Sequence, residues 1–165
     1  MRDFTIYEVG PRDGLQNASF TVNTQEKIDL IRSLVNAGLT EMEIGSFVHP
    51  QIVPSMADSA VVFEEVADYG DFSVLIPNEK GLDRALSVGV ENFNLFFSPS
   101  EAFNLRNLGR RKKDAMIEYL RMLDKIPDSK VRVYLSVIFG CPFEGKISDD
   151  VIYESILEAS LLGDT

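Results

Sequence analysis

Apolar residues alternate along the chain between two spacings. Short runs rich in β-branched and aromatic residues predict strands at residues 4–8, 41–44, 72–76, 92–97 and 131–139. Between them, apolar residues recur at helical spacing. The first such segment begins at Asn23, a typical N-cap with Glu26 three residues later, and ends at Gly38. Further helices are predicted at 58–67, after Asn78, around Met116, Leu120 and Leu123, and from Ser148 through Ile152, Ile156 and Ala159.

Five strand–helix units in a row favour an α/β fold with a parallel sheet. An open doubly wound sheet predicts a glycine-rich phosphate loop after the first strand, and residues 10–14 (GPRDG) do not form one. A (β/α)₈ TIM barrel instead predicts polar residues after successive strands, at one rim. Such residues are present at Glu8, Arg12, Asp13, Glu43, Ser46, Asn78, Ser98, Glu101 and Cys141. The barrel is therefore favoured.

Chain length changes the expected extent of that barrel. A complete barrel takes about 250 residues, and this chain has 165. Residues 1–165 are therefore expected to be the N-terminal part of a single barrel domain, with about five of its eight units. Open sheet edges would favour association, so we expect a homo-oligomer, a larger aggregate, or a requirement for the rest of the barrel in order to fold.

Charge and composition exclude several kinds of binding partner and location. The net charge of −10 argues against nonspecific binding to nucleic acid or to anionic membranes. No apolar run approaches the length of a transmembrane helix. Cys141 is the only cysteine and His49 the only histidine, which fits a reducing cytoplasm and excludes a multi-histidine metal site within the chain. Cys141 is expected to be a small buried residue, and His49 a loop residue.

Residues 8–16 contain the closest grouping of candidate catalytic side chains. Arg12 and Asp13 place a cation beside a carboxylate, which could stabilise an oxyanion and bind a hard divalent cation. A turn shaped by Asp13 and Gly14, with Arg12 solvated, is the alternative. Glu43 should point away from Met42 and Ile44, either into the active site or into a buried structural pair with an arginine.

A basic cluster interrupts the acidic chain. Residues 106–113 contain five basic side chains in eight positions. They could bind the phosphates of a nucleotide-bearing substrate such as coenzyme A, or simply form a solvated face.

Several segments together resemble the 3-hydroxy-3-methylglutaryl-CoA lyase family, within the metal-dependent lyase and Claisen-condensing group of (β/α)₈ enzymes. The matching segments are residues 8–16, 45–50, 53–58, 74–81 and 140–148. The resemblance implies cleavage of a 3-hydroxyacyl-CoA to acetyl-CoA and acetoacetate with Mg²⁺ or Mn²⁺, in the setting of leucine degradation.

The resemblance also implies roles for individual residues. Asp13 resembles the metal-binding carboxylate, Arg12 the residue that steadies the developing enolate, and Glu43 an acidic member of the catalytic network. Gln16, Ser46 and Asn78 resemble substrate-binding residues.

Some elements of the family site are missing from these 165 residues. The family's His-x-His metal pair and its glycine-rich cysteine loop are not present, so the chain is expected to supply only part of an active site and to be inactive alone. A related Claisen-type synthase, similar to citramalate synthase, and an inactive truncated structural domain remain as alternatives.

Overall fold

A computed structural model describes residues 5–163, which contain six α-helices and four β-strands. The strands are β1 (Glu41–Ser46), β2 (Asp71–Leu75), β3 (Asn92–Phe97) and β4 (Lys130–Leu135). The helices are α1 (Thr24–Asn36), α2 (Ser59–Val66), α3 (Glu79–Leu86), α4 (Glu101–Leu108), α5 (Lys112–Leu123) and α6 (Asp149–Ser160). The strands form one sheet in the order β1-β2-β3-β4, and β1 pairs with β2 in parallel. The predicted alternation of strands and helices is confirmed.

Local sequence signals set the start of α1. The Asn23 side chain accepts a hydrogen bond from the Glu26 amide (2.9 Å), and the Glu26 carboxylate accepts one from the Asn23 amide (2.8 Å). This reciprocal pair satisfies two backbone donors that the first helical turn leaves open. The predicted N-cap is therefore confirmed.

The first predicted strand, 4–8, is wrong as a strand. Phe4 lies outside the described residues, and from Thr5 onward only Glu8 joins the sheet, through a single parallel bridge to Met42. The Glu8 amide donates to the Glu41 carbonyl (3.1 Å), and the Glu8 carbonyl accepts from the Glu43 amide (2.8 Å). The segment has the alternating pattern of a strand, but a single bridge to β1 is too little pairing to make it one.

Two further boundaries differ because of backbone conformation. The strand predicted at 131–139 ends at Leu135, and Val137 adopts a φ of 60°, which a β-strand cannot accommodate. The single helix predicted after β3 is two helices, because Gly109 takes the left-handed conformation (φ 67°) that ends α4.

The burial predicted for α6 is partly wrong. Ile156 is exposed, whereas Ala159 is buried as expected. On α5, Met116, Tyr119 and Met122 are buried and Leu120 is exposed. The buried face of each helix is set by how it packs on the sheet, which the helical period alone does not specify.

The chain divides into two compact units. Within the described residues, one comprises 5–76 with 80–92, and its core includes Met42, Val62 and Val74. The other comprises 77–79 with 93–163, and its core includes Phe93 and Tyr119. Within residues 5–163, no helix combines the length and the hydropathy needed to span a bilayer.

Candidate active site

The segment after Glu8 folds into one wide helical turn, Gly10–Gly14. The amides of Arg12 and Asp13 both donate to the Val9 carbonyl, at 3.1 and 2.7 Å. The Glu8 carboxylate accepts from the Gly10 amide (2.6 Å), and a Cβ at Gly10 would lie only 2.8 Å from that oxygen. A side chain at position 10 would displace the Glu8 carboxylate from this hydrogen bond. The turn places Arg12 and Asp13 side by side.

Arg12 is held between two carboxylates. Its Nε donates to Glu43 Oε1, and its Nη1 donates to Asp13 Oδ1 at 2.8 Å. The Glu43 side chain is fully buried, and the Arg12 side chain is 11% exposed. Arg12 Nη2 has no hydrogen-bond partner among the described residues. The structure thus pairs Arg12 with Glu43, thirty-one positions apart, and leaves the Nη2 edge of the guanidinium for another group.

Asp13 lies at the open side of this cluster. Its side chain is 53% exposed, and Oδ1 is the oxygen that Arg12 contacts. Asn17, which the sequence analysis missed, donates to the Asp13 carbonyl at 2.9 Å and approaches Oδ1 at 3.5 Å. An asparagine four residues after a predicted site residue on a helical turn is the signal that could have identified it. Oδ2 makes no hydrogen bond among residues 5–163.

A bulge in β1 helps to set the direction of Glu43. The register pairs Glu43 with Ser73 and then Gly45 with Val74, so Ile44 is an extra residue opposite β2. Such a bulge bends a strand and redirects the side chains beside it. A Cβ on Gly45 would lie 2.8 Å from the Ser59 hydroxyl oxygen, so this residue must be small.

Ser46, the predicted substrate-binding residue at the end of β1, is buried. Its amide donates to the Ser59 hydroxyl (3.0 Å), and its hydroxyl accepts from the Val48 amide (3.4 Å). The following loop carries His49, which is exposed, as expected for a loop residue. The substrate role of Ser46 stays a prediction, and its observed contacts are with the protein.

The remaining predicted substrate residues occupy different units. Gln16 belongs to the unit that holds Arg12, and its Oε1 is buried without a hydrogen-bond partner among the described residues. Asn78 follows β2 and belongs to the unit formed by 77–79 and 93–163. Its convergence with Arg12 stays a prediction.

A cavity of about 510 Å³ lies beside the loop that precedes α1. Lys27, buried at its edge, donates to Asp58 Oδ1 (2.5 Å) and to the Ser55 carbonyl (2.6 Å). Thr24 donates to the other Asp58 oxygen (2.8 Å). These contacts were not foreseen, because a lysine at a helical surface spacing is usually solvated. They fasten α1 to the turn before α2.

The described residues do not form a complete metal site. Among residues 5–163, no three His, Cys, Asp or Glu side chains lie close enough to hold an ion together. Asp13 nevertheless presents an exposed carboxylate with one uncommitted oxygen, which suits a single ligand to a hard cation. Asp13 can therefore contribute to a metal site but cannot constitute one.

Cys141 is buried, as predicted, in a hairpin closed by its bridge to Gly145. The Ser100 hydroxyl lies 2.9 Å from its sulfur and also contacts the Glu144 carboxylate. Burial raises the pKa of the thiol, but hydrogen bonds from Ser100 and from the amides of Phe143 and Glu144 outweigh it, so the pKa lies below its ordinary value.

Residues 3–164 match the model of one protein family, described as HMGL-like. The match covers nearly the whole chain. The chain belongs to the HMGL-like family.

Individual relatives of the HMGL-like family agree with this. The chain is 40% identical over 146 residues to a 3-hydroxy-3-isohexenylglutaryl-CoA/hydroxymethylglutaryl-CoA lyase of Pseudomonas aeruginosa, covering 86% of this chain and 49% of the relative. It is 39% identical over 153 residues to a mitochondrial hydroxymethylglutaryl-CoA lyase of Macaca fascicularis, covering 90% and 47%.

A solved structure supports the same assignment. An HMG-CoA lyase of Acinetobacter baumannii, in complex with coenzyme A and 3-methylmalate, superposes with a TM-score of 0.90 at 34% identity, covering 97% of this chain and 53% of that one. The chain thus spans about half the length of the relatives it matches. The parallel sheet with alternating helices is the corresponding part of their barrel, which confirms the predicted fold.

Proposed function

We propose that the protein to which this chain contributes is a carbon–carbon lyase. It cleaves 3-hydroxy-3-methylglutaryl-CoA, or a similar 3-hydroxyacyl-CoA, to acetyl-CoA and acetoacetate, and residues 5–163 supply part of the active site. The observation that carries the proposal is the Arg12 guanidinium, fixed by buried Glu43 with Nη2 left for an anionic oxygen. The lyase names of the relatives support it.

Arg12 acts on the charge that forms as the bond breaks. The 3-hydroxyl group gives its proton to a base. As the carbon–carbon bond breaks, the former O–H electrons form the carbonyl of acetoacetate, and the electrons of the broken bond pass to the enolate of the thioester. The negative charge collects on the thioester oxygen, where an N–H donor fixed in advance stabilises it. Protonation of the enolate carbon then gives acetyl-CoA.

Glu43 works through Arg12. Its buried carboxylate fixes the Nε edge of the guanidinium, so the orientation of Nη2 does not have to be set during the reaction. We assign Glu43 to the catalytic network as a positioning residue.

We assign Asp13 as one ligand of a Mg²⁺ or Mn²⁺ ion. The exposed Asp13 carboxylate, with Oδ2 uncommitted, supports this assignment. The bound ion would supply Lewis-acid polarisation of the substrate oxygens. Asp13 would orient Arg12 at the same time through Oδ1.

The proposal also covers the substrate-binding residues, the oligomeric state and the cellular compartment. Gln16, with its buried Oε1 unpaired among the described residues, and Ser46 and Asn78 are assigned to substrate binding. An acyl-CoA is the partner, and nucleic acid and membranes are not. We further propose a homo-oligomer in the cytoplasm, with leucine degradation as the setting; the single cysteine supports a reducing compartment.

Activity of the whole protein tests the proposal. Release of acetyl-CoA from 3-hydroxy-3-methylglutaryl-CoA should depend on Mg²⁺ or Mn²⁺. Arg12→Gln should lower kcat by about 100-fold or more, as expected for loss of a donor to transition-state charge. Asp13→Ala should lower turnover to a similar extent and weaken metal binding.

A matched control uses the same chemical change elsewhere. Arg32→Gln removes an arginine whose ion pair with Glu65 (3.7 Å) is on the surface, and it should leave kcat near wild type. Wild-type turnover by either Arg12→Gln or Asp13→Ala would contradict the assigned roles. Condensation of an acyl-CoA with a keto acid, without cleavage, would identify a synthase instead.

A further inference from the structure

Two cations of the basic cluster 106–113 are paired within the fold. Arg110 donates to the Glu118 carboxylate, and Lys112 pairs with Glu158 at 2.7 Å. All four side chains are largely buried, with exposed fractions between 16% and 29%. Phosphate binding by the rest of the cluster stays a prediction.

The Arg110–Glu118 pair also holds the turn that follows β2. Arg110 Nη2 donates to the Pro77 carbonyl. Glu118 Oε1 accepts a hydrogen bond from the Glu79 amide at 2.8 Å. Because Glu79 opens α3, this amide is one of the first-turn donors that have no partner inside the helix. The pair thus binds one backbone group on each side of Asn78.

These two contacts restrict the backbone of Asn78. Peptide groups are planar, so the dihedral angles at one Cα set the relative orientation of the two peptide groups beside it. The Pro77 carbonyl belongs to the peptide group before the Asn78 Cα, and the Glu79 amide belongs to the one after it. Holding both groups leaves φ and ψ of Asn78 little freedom, and this sets the direction of its Cα–Cβ bond.

Arg110 is itself held by the core of its unit. Its guanidinium lies 5.7 Å from the centroid of the Tyr119 ring, within the range of a cation–π contact, and Tyr119 is fully buried. Residues 77–79 belong to this same unit, whereas the residues on either side of them belong to the other one. In its packing, the turn therefore goes with α5, the helix that carries Glu118.

We propose that Arg110 and Glu118 are positioning residues that orient the Asn78 side chain for substrate binding. The role of Asn78 itself rests on the proposed lyase function. Because the turn is ordered before the substrate arrives, binding does not have to fix the Asn78 backbone. Loss of either supporting side chain should therefore weaken substrate binding and leave the chemical step largely unchanged.

Steady-state kinetics of the whole protein test this role. Arg110→Gln and Glu118→Ala should each raise KM for 3-hydroxy-3-methylglutaryl-CoA about tenfold and change kcat by less than about twofold. Asn78→Ala should raise KM at least as much. In the Asn78→Ala background, neither substitution should raise KM further, because the side chain that they orient is gone. A structural effect unrelated to Asn78 would instead multiply the rise in KM.

Glu158→Ala is the matched control for Glu118→Ala. Both substitutions remove a carboxylate from a largely buried ion pair with the basic cluster. Among residues 5–163, Glu118 accepts from the Glu79 amide, and Glu158 makes no hydrogen bond to that turn. Glu158→Ala should therefore leave KM and kcat near wild type. An equal rise in KM for the two variants would overturn the positioning role. Should Glu118→Ala fail to fold, Arg110→Gln decides.

Hydrogen exchange at the Glu79 amide tests the contact without turnover. The amide should exchange about tenfold faster or more in Glu118→Ala, and at the wild-type rate in Glu158→Ala. Equal exchange in the two variants would overturn the proposal whatever the activity. Cleavage by the wild type with KM unchanged in Arg110→Gln would overturn the positioning role alone. Faster exchange in Glu118→Ala, with no cleavage by the wild type, would support the contact and contradict the proposed lyase function alone.

Discussion

Glu43→Gln is the most informative single substitution in this chain. It keeps the size of a fully buried side chain but removes the negative charge that Arg12 Nε contacts. Among residues 5–163, the exposed carboxylate of Asp13 is then the one counter-charge that contacts Arg12. Because the guanidinium is itself largely buried, its charge would be poorly compensated in the variant.

The size of the effect follows from burial. Removing one partner of a buried ion pair costs about 3–5 kcal/mol. The amide of glutamine can still accept a hydrogen bond from Arg12, so we expect the lower end, about 3 kcal/mol. Glu65→Gln is the matched control: Glu65 is 58% exposed and 3.7 Å from Arg32, and surface pairs contribute only about 0–1 kcal/mol.

Urea unfolding at neutral pH, followed by circular dichroism, measures both variants. With a slope of about 2 kcal/mol per molar urea, Glu43→Gln should lower the midpoint by about 1.5 M, and Glu65→Gln by less than about 0.5 M. A Glu43→Gln midpoint within the range of the Glu65→Gln control would refute the view that the Arg12–Glu43 pair is a buried and interdependent unit.

Two further predictions concern Tyr119 and Gly45. Burial raises the pKa of Tyr119 to about 12, so the native state keeps a proton that the unfolded chain loses near pH 10. The free energy of unfolding of the wild type should therefore fall by roughly 3 kcal/mol between pH 10 and 12. If urea unfolding shows the same fall for Tyr119→Phe, the titration of Tyr119 is not its cause. Gly45→Ala should destabilise by about 1–3 kcal/mol through contact with Ser59. Gly14→Ala should leave stability unchanged, because its Cβ would meet nothing within 4 Å. Equal falls in melting temperature for Gly45→Ala and Gly14→Ala would contradict the steric argument.

Sequence signals sufficed where local chemistry determines structure. The capping box at Asn23 fixed the start of α1, and the strand bounds 92–97 agree with β3. The sequence signals failed where strand pairing or backbone conformation determines whether a segment forms a strand. The segment ending at Glu8 has the composition of a strand but only one bridge, and the left-handed Val137 ends β4 early although its sequence is β-rich.

The candidate site could be predicted only in part for a related reason. The adjacency of Arg12 and Asp13 is visible in the sequence, but the partner of Arg12 is thirty-one residues away, and its burial depends on tertiary packing. The sequence left two interpretations of Glu43 open, an active-site carboxylate or a structural partner of an arginine. The structure shows the second, a buried pair with an arginine. Because that arginine is the residue we propose for the reaction, the proposal combines both interpretations.

The division of charge around Arg12 connects stability with the proposed chemistry. Glu43 is fully buried, and its Oε1 contacts Arg12 Nε. Asp13 is half exposed, and only Oδ1 contacts Arg12. The inner carboxylate therefore supplies most of the stabilisation, while the outer one can exchange its weaker contacts for a ligand at small cost to the fold. A site arranged in this way can bind a cation and an anionic oxygen at its open side without disturbing the pair that holds it in place.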